Sequence, residues 1–264
     1  MSVDTSNQSV QGAATPSTGL LKPEHVAYLE KRAVPEQFAI AAGLKSVDIK
    51  AAAKFLGFEP SAGGIQIPYT ESDPTYSRLR CDATEGARFL APKGREVPVY
   101  IACPAAREPS TPLYVVEGPV KALALANAGF PAVGLGGVST TLEDDHTRKK
   151  LNSSWSVVPL KGRKVVVVFD AGRSTNAAVA RAEARLALAL ERAGAKVFVA
   201  ELPPDPEGED WGPDDFIKTY GSAELRKVLN AARPANPIDA VKNMTRNIQG
   251  DTLASIAGAL HAVS

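Results

Sequence analysis

Cysteine is almost missing from this chain. Cys81 and Cys103 are the two present, far apart and at no metal-ligand or redox spacing. A disulfide scaffold and a cysteine-built metal site are thereby excluded as organising features. Both thiols read as small buried apolar residues in a reducing, cytoplasmic setting. Net charge is also missing: 30 basic residues against 29 acidic ones leave +1. Bulk attraction to a polyanion is thus ruled out, and only local basic patches remain to be considered. No apolar run reaches the roughly 18 residues a membrane span needs. The opening stretch, "MSVDTSNQSVQGAATPSTG", has neither a basic start nor an apolar segment. It is expected to be a disordered tail rather than a targeting signal. No internal repeat is visible.

What remains is ordinary globular material: 264 residues, 44% hydrophobic and 22% charged, enough for a core of normal size. After a tail over 1–20, helical spacing of Leu21, His25, Tyr28 and Leu29 opens a region with two further short helices, one begun at Pro35 and one stopped at Gly57. "GGIQIPYT", "YSRLRCD" and "VPVYIA" then alternate apolar and polar residues, which predicts an antiparallel sheet. From residue 112 the period changes. Apolar strands "PLYVVEG", "FPAVGLGG", "KVVVVFD" and "AKVFVAELP" are interleaved with helices, among them "PVKALALANAG" and one capped by Asn176 and stopped by Gly194. The polar stretch 139–163 is expected to hold a short helix. "PDDFIKTYG" and a helix at 222–232 close the region. Such alternation predicts an α/β domain over 112–233, with a central parallel sheet flanked by helices. A small α+β subdomain with antiparallel strands precedes it over 21–111, and a linker with weak helices follows over 234–264.

Ligands of parallel α/β sheets gather at the carboxyl ends of the strands. Two acids stand there: Glu117, closing "YVVEG", and Asp170, closing "VVVVFD". A carboxylate at the end of a buried strand is unfavourable unless it caps a helix, pairs with a cation or binds a metal. Gly118 lets the backbone turn beside Glu117, and oxygen ligands of this kind suit Mg²⁺. Either acid alone fits a helix-capping role equally well. Both in one frame, with "GLGG" closing the strand between them, favour a shared site.

"YVVEGPVKALALANAGFPAVGLGGVST", "KVVVVFDAG" and "GPDDFI" together resemble the Toprim domain shared by bacterial-type primases, topoisomerases and some nucleases. The likeness is greatest to primase-like proteins of plasmids, phages and mobile elements, in which a Lys-Ala-Leu helix follows the Glu-Gly step, as Lys121, Ala122 and Leu123 do here. "GIQIPYTESDPTYSRLRCDATEGARFLAPKG" is similar to the basic amino-terminal subdomain of primase RNA-polymerase regions. The resemblance spans roughly residues 22–232. It implies Glu117 as catalytic acid/base or metal ligand and Asp170 as the first acid of an Asp-x-Asp pair. The second acid is absent, because position 172 is Gly172. Asp214 and Asp215 match a later acidic pair and are candidates to complete the shell of a Mg²⁺ or Mn²⁺ ion, held weakly or in a different arrangement. Equally, they form a helix N-cap with an acid beside it. Lys121, one helical turn after Glu117, is placed either to neutralise that carboxylate or to touch a phosphate, and Arg173 and Gly137 are candidate phosphate or nucleotide contacts. The zinc-ribbon module of larger primases is expected to be missing.

Tyr76, Arg78 and Arg80 recur at the spacing of one strand face, suited to phosphates and a stacked base. Arg88, Lys93 and Arg95 follow. A second cluster, "RKKLNSSWSVVPLKGRK", brings Arg148, Lys149, Lys150, Lys161, Arg163 and Lys164 around Trp155. Solvated sheet faces and loops are the plain alternative for both. The leading expectation is a primase-type protein that binds single-stranded DNA and, with nucleoside triphosphates, makes short primers by nucleotidyl transfer. A replicative helicase is a further partner on this reading. Gly172 favours a second, a non-catalytic module that binds nucleic acid or recruits a helicase. A Toprim nuclease is the third.

Overall fold

The computed structural model describes residues 20–137, 142–145, 148–171, 177–206 and 211–235, and of 142–145, 148–149 and 177–181 the backbone alone. The expected tail, Gly172, Arg173, the Asn176 cap and residues 236–264 lie outside the described residues.

The amino-terminal part opens with α1 (Pro23–Lys31) and α2 (Glu36–Ala41). A short β1 (Lys45–Val47), which the sequence pattern does not announce, leads to α3 (Ile49–Leu56). The Asp48 carboxylate accepts from the Ala51 amide at 2.7 Å and caps α3, a bond whose loss costs about 1 kcal/mol. Gly57 ends that helix in the left-handed region, as its place in the sequence predicts. Strands β2 (Gly64–Pro68), β3 (Ser77–Cys81) and β4 (Phe89–Leu90) join β1 in an antiparallel sheet ordered β1-β2-β3-β4. Buried His25 ties α1 to this sheet, its Nδ1 2.6 Å from the Ser46 hydroxyl and its Nε2 2.9 Å from the Asp82 carboxylate.

The larger sheet collects β5 (Tyr100–Ile101), β6 (Leu113–Val116), β7 (Ala132–Gly134), β10 (Lys164–Val168), β11 (Lys196–Ala200) and β12 (Arg233–Pro234) in the order β12-β11-β10-β6-β7-β5. Its four central strands are parallel, but both edges are antiparallel, so the sheet is mixed rather than wholly parallel. One edge corrects the expected grouping of strands. Tyr100 and Ile101 do not extend the first sheet; they pair with Gly134 and Val133 and are nearly fully buried there, covering the open side of β7. The stretch 139–163 also differs. It forms a hairpin, β8 (Leu142–Asp145) with β9 (Arg148–Leu151), and its expected helix is a 3-10 turn at Ser153–Val157.

Alternation along the central strands divides the core. Tyr114, Val116, Val166 and Val168 meet α4 (Pro119–Asn127) and α6 (Pro213–Asn230) on one side. Leu113, Val115, Val165 and Val167 meet Leu186 and Leu190 of α5 (Ala177–Arg192) on the other. Each of these valines is completely buried, worth about 1.5–3 kcal/mol apiece. Burial on both faces explains the unbroken valine run of β10. Gly221, at φ 83°, breaks the helical backbone within α6, so "PDDFIKTYG" and the segment after it form two helical pieces.

Candidate active site and basic cleft

Strands β6 and β10 are parallel neighbours, so Glu117 and Asp170, just beyond their carboxyl ends, share one rim of the sheet. Both are partly buried, with side-chain exposures of 29% and 30%. Between them sits Lys121, in the first turn of α4. Its ammonium donates to Glu117 Oε2 at 3.3 Å and to both carboxylate oxygens of Asp170. Burial of this ammonium works against its charge, yet Asp170 and Glu117 outweigh the penalty and lift the Lys121 pKa above the ordinary lysine value. The two acids thus hold the lysine ionised.

Two more acids close the group from α6. Asp214 is 1% exposed, with Oδ2 accepting from Arg32 Nη1 at 3.0 Å. Its Oδ1 has no hydrogen-bond partner. Burial, together with the charge of Asp215, raises the Asp214 pKa against the opposing pull of Lys121 and Arg32. Asp215 caps its own helix, accepting from the Gly212 amide at 3.2 Å, and also receives Arg32 at 3.4 Å. The capping role weighed from sequence therefore falls to Asp215, while Asp214 turns inward. Gly212 lets them converge. A Cβ there would lie 2.6 Å from Asp214 Oδ1, 2.8 Å from Asp170 Oδ1 and 2.8 Å from Lys121 Cε.

The cluster opens into a cleft of about 390 Å³ between α1, the first sheet and the loop after β7. Tyr28, Arg32, Arg88 and Gly137 line it together with Glu117 and Lys121. Arg78 reaches the same cleft but is only 7% exposed. It donates to the carbonyls of Gly136 and Phe89, both at 3.2 Å, and lies over the Phe89 ring. Arg80 stacks on Tyr28 at 4.1 Å and donates to Asp82 at 2.9 Å. The two arginines share a face, as their spacing predicts, but that face is packed between sheet and cleft. Arg88 is exposed at the cleft mouth. Lys93 is exposed beside the end of α3, away from the cleft lining.

The two aromatic residues expected to stack on bases lie in the core. Tyr76 is 1% exposed, edge-on to Tyr69, and Trp155 is 3% exposed beneath the larger sheet. Neither ring presents a face to solvent, because each fills space that the adjacent sheet leaves. Arg163 is likewise internal, bonded to the carbonyls of Thr111 and Ala106 at 2.8 and 2.7 Å. Lys150 is exposed, and the side chain of Lys149 lies outside the described residues. Across the hairpin the register sets Glu143, Asp144 and Asp145 opposite Lys150, Lys149 and Arg148. Acidic positions on one strand thus stand opposite basic positions on the other. Arg32 escapes sequence reading, and Tyr28 is read there only as part of a helical face, since α1 carries no motif of its own. Only the fold brings Arg32 to Asp214, 182 positions away.

Among the described residues, no group of three or more histidine, cysteine, aspartate or glutamate side chains is arranged to hold a metal ion. Two carboxylates do converge on a single cationic atom, Lys121 Nζ, and Mg²⁺ commonly takes only one or two protein carboxylates. The pair therefore fits a divalent ion, provided the ammonium moves aside. No described helix is long and apolar enough to cross a membrane.

Residues 105–224 match the model of a family described as a domain of unknown function, DUF3854. An uncharacterized protein of Picosynechococcus sp. is 30% identical over 136 residues, covering 48% of this chain and 13% of the relative's own length. Among solved structures, the zinc-binding and RNA polymerase domains of the Aquifex aeolicus primase align over 92% of this chain and 67% of theirs, at 18% identity and a TM-score of 0.59. A DnaG primase catalytic domain bound to single-stranded DNA aligns over 92% of this chain and 84% of its own, at 18% identity and a TM-score of 0.56. The chain is thus similar in fold to primase catalytic domains, and its acid pair lies at the strand ends of that fold.

Proposed function

We propose that this chain is a primase-type Toprim protein of a mobile element, which binds single-stranded DNA in the basic cleft and joins nucleoside triphosphates into short primers. One observation carries the reading: Glu117 and Asp170, on adjacent parallel strands, reach the same cationic point at the floor of a cleft lined by Arg32 and Arg88. A fold neighbour bound to single-stranded DNA supports it. Glu117 and Asp170 would hold a Mg²⁺ or Mn²⁺ ion, with Asp214 beside them. Such an ion supplies neutralisation of the charge that develops on phosphate oxygens during phosphoryl transfer. The protein's own groups do the rest. Arg88 meets the strand's phosphates at the mouth, Lys121 offers a positive charge to a triphosphate, and buried Arg78 fixes the loop after β7 against the first sheet.

Primer synthesis on a single-stranded template with nucleoside triphosphates and Mn²⁺ tests the proposal. Synthesis by the wild type that is abolished in Glu117→Ala is the expected result. Lys121 between the two acids, and Gly172 in place of a third, favour a second reading in which the same cleft binds nucleic acid or recruits a helicase without chemistry. Strand binding that survives Glu117→Ala and Asp170→Ala, with no synthesis by the wild type, selects that reading.

A further inference from the structure

Lys121 is the third residue of α4, inside its first turn. A cation there meets the positive end of the helix dipole, where anions are favoured and cations disfavoured. The lysine also loses much of its hydration, with a side-chain exposure of 17%. Two unfavourable terms are thus offset by one feature, the carboxylates of Glu117 and Asp170 converging on Nζ. Around this ammonium the acceptors outnumber the donors. Four carboxylates, Glu117, Asp170, Asp214 and Asp215, face two cations, Lys121 and Arg32. Asp214 Oδ1, buried and without a partner, crowds the same point near Gly212 as Asp170 Oδ1. An orphaned buried carboxylate oxygen beside a pair already neutralised by a lysine is the signature of a site with room for more positive charge.

We infer that Lys121 is the resident counter-ion of the Glu117–Asp170 pair and competes with divalent metal for it, so that metal enters only as the ammonium swings away. This rests on the reading of that pair as a metal site. The four-carbon stem of lysine is flexible enough for such a departure, and the ammonium is a point charge with no fixed fork to dismantle. Metal affinity in the wild type is accordingly weak, set by the work of displacing the lysine and not by the acids alone.

Mn²⁺ binding to the full chain, without nucleotide, is measured by the electron paramagnetic resonance of the free ion. Replacing Lys121 by methionine removes the competitor and is expected to tighten Mn²⁺ binding about tenfold or more. Lys121→Gln, which keeps a donor on a shorter, uncharged stem, serves if the methionine variant does not fold. Thermal melting gives a second readout. In chelator the Lys121 variant melts below the wild type, because the two acids face one another uncompensated, and added Mn²⁺ restores more stability to it than to the wild type. Saturable wild-type binding that disappears in Asp170→Asn, with equal or weaker binding in the Lys121 variants, overturns the competition and leaves the metal site standing. No saturable binding in any of these proteins overturns both.

Discussion

Gly134, the last residue of β7, packs directly on Gly118, the residue before α4: a Cβ on Gly134 would lie 2.6 Å from the Gly118 carbonyl oxygen and 2.9 Å from Pro119 N. The backbone that carries Glu117 thus turns against a neighbouring strand with no side chain between. Gly134→Ala is expected to destabilise the protein by about 1–3 kcal/mol, as overpacking does. Because the clash falls on rigid backbone, the Glu117–Gly118 turn must shift. Urea unfolding measures the stability loss, and strand binding or synthesis measures the displaced acid. An alanine variant of wild-type stability would mean that the two strand ends are less tightly joined.

Arg78 and Arg88 separate two roles that sequence spacing merges. Arg88 is exposed at the cleft mouth, so Arg88→Ala should leave the melting temperature within about a degree while lowering the salt slope of DNA binding by about 1. Arg78 is buried and bonded to two carbonyls, so Arg78→Ala should lower stability by about 2 kcal/mol through the unpaired acceptors it leaves. Salt titrations of affinity beside melting curves distinguish them. The opposite pattern would place the DNA contact at Arg78.

Removing Arg32 strands the buried Asp214 carboxylate without its cation. Arg32→Ala is expected to cost about 2–3 kcal/mol, and adding Asp214→Asn should recover most of it by deleting the uncompensated charge. A double-mutant cycle in denaturant gives the coupling directly. Additive effects would show that the pair contributes little.

Tyr69 sits wholly inside the aromatic cluster, and burial, against the nearby charge and hydrogen bonding of Arg78, pushes its pKa from 10.0 up to about 12. The folded chain therefore holds this proton more tightly than the unfolded chain. Stability from this group is fully present below pH 10 and is lost as pH rises toward 12, amounting to about 2–3 kcal/mol. Tyr69→Phe should be close to neutral at pH 7 and should flatten the loss of stability above pH 10. Denaturant midpoints across that range, read beside tyrosinate absorbance, check both. An unchanged alkaline slope would assign it to another phenol, such as Tyr100.

Much of the larger sheet was legible because its signals are local. Four buried valines in a row, Gly194 after α5 and Pro119 at the start of α4 each mark an element without reference to the rest of the chain. The strand-end positions of Glu117 and Asp170 follow from those boundaries. What was not legible depends on partners distant in sequence. The two-residue β5 has no period to read, and its allegiance is decided by the open side of β7. Tyr76 and Trp155 look like exposed recognition aromatics from their basic neighbours, yet sheet packing buries them. Lys121 was visible as a lysine near Glu117, but its position between two acids depends on β10 lying beside β6.

The link from Arg32 on α1 to Asp214 and Asp215 on α6 also has a consequence in time. The earliest described helix and the latest one must both exist before the acid cluster acquires its full set of charges. A ribosome that has released only the sheet strands up to β11 has therefore made the scaffold but not the finished pocket. Contacts of such long range also slow folding, since the intervening loop must close before they stabilise anything. Nascent chains ending before residue 213 should accordingly leave Arg32 without its acidic partners, so that the cleft takes its final balance of charge only once α6 has emerged.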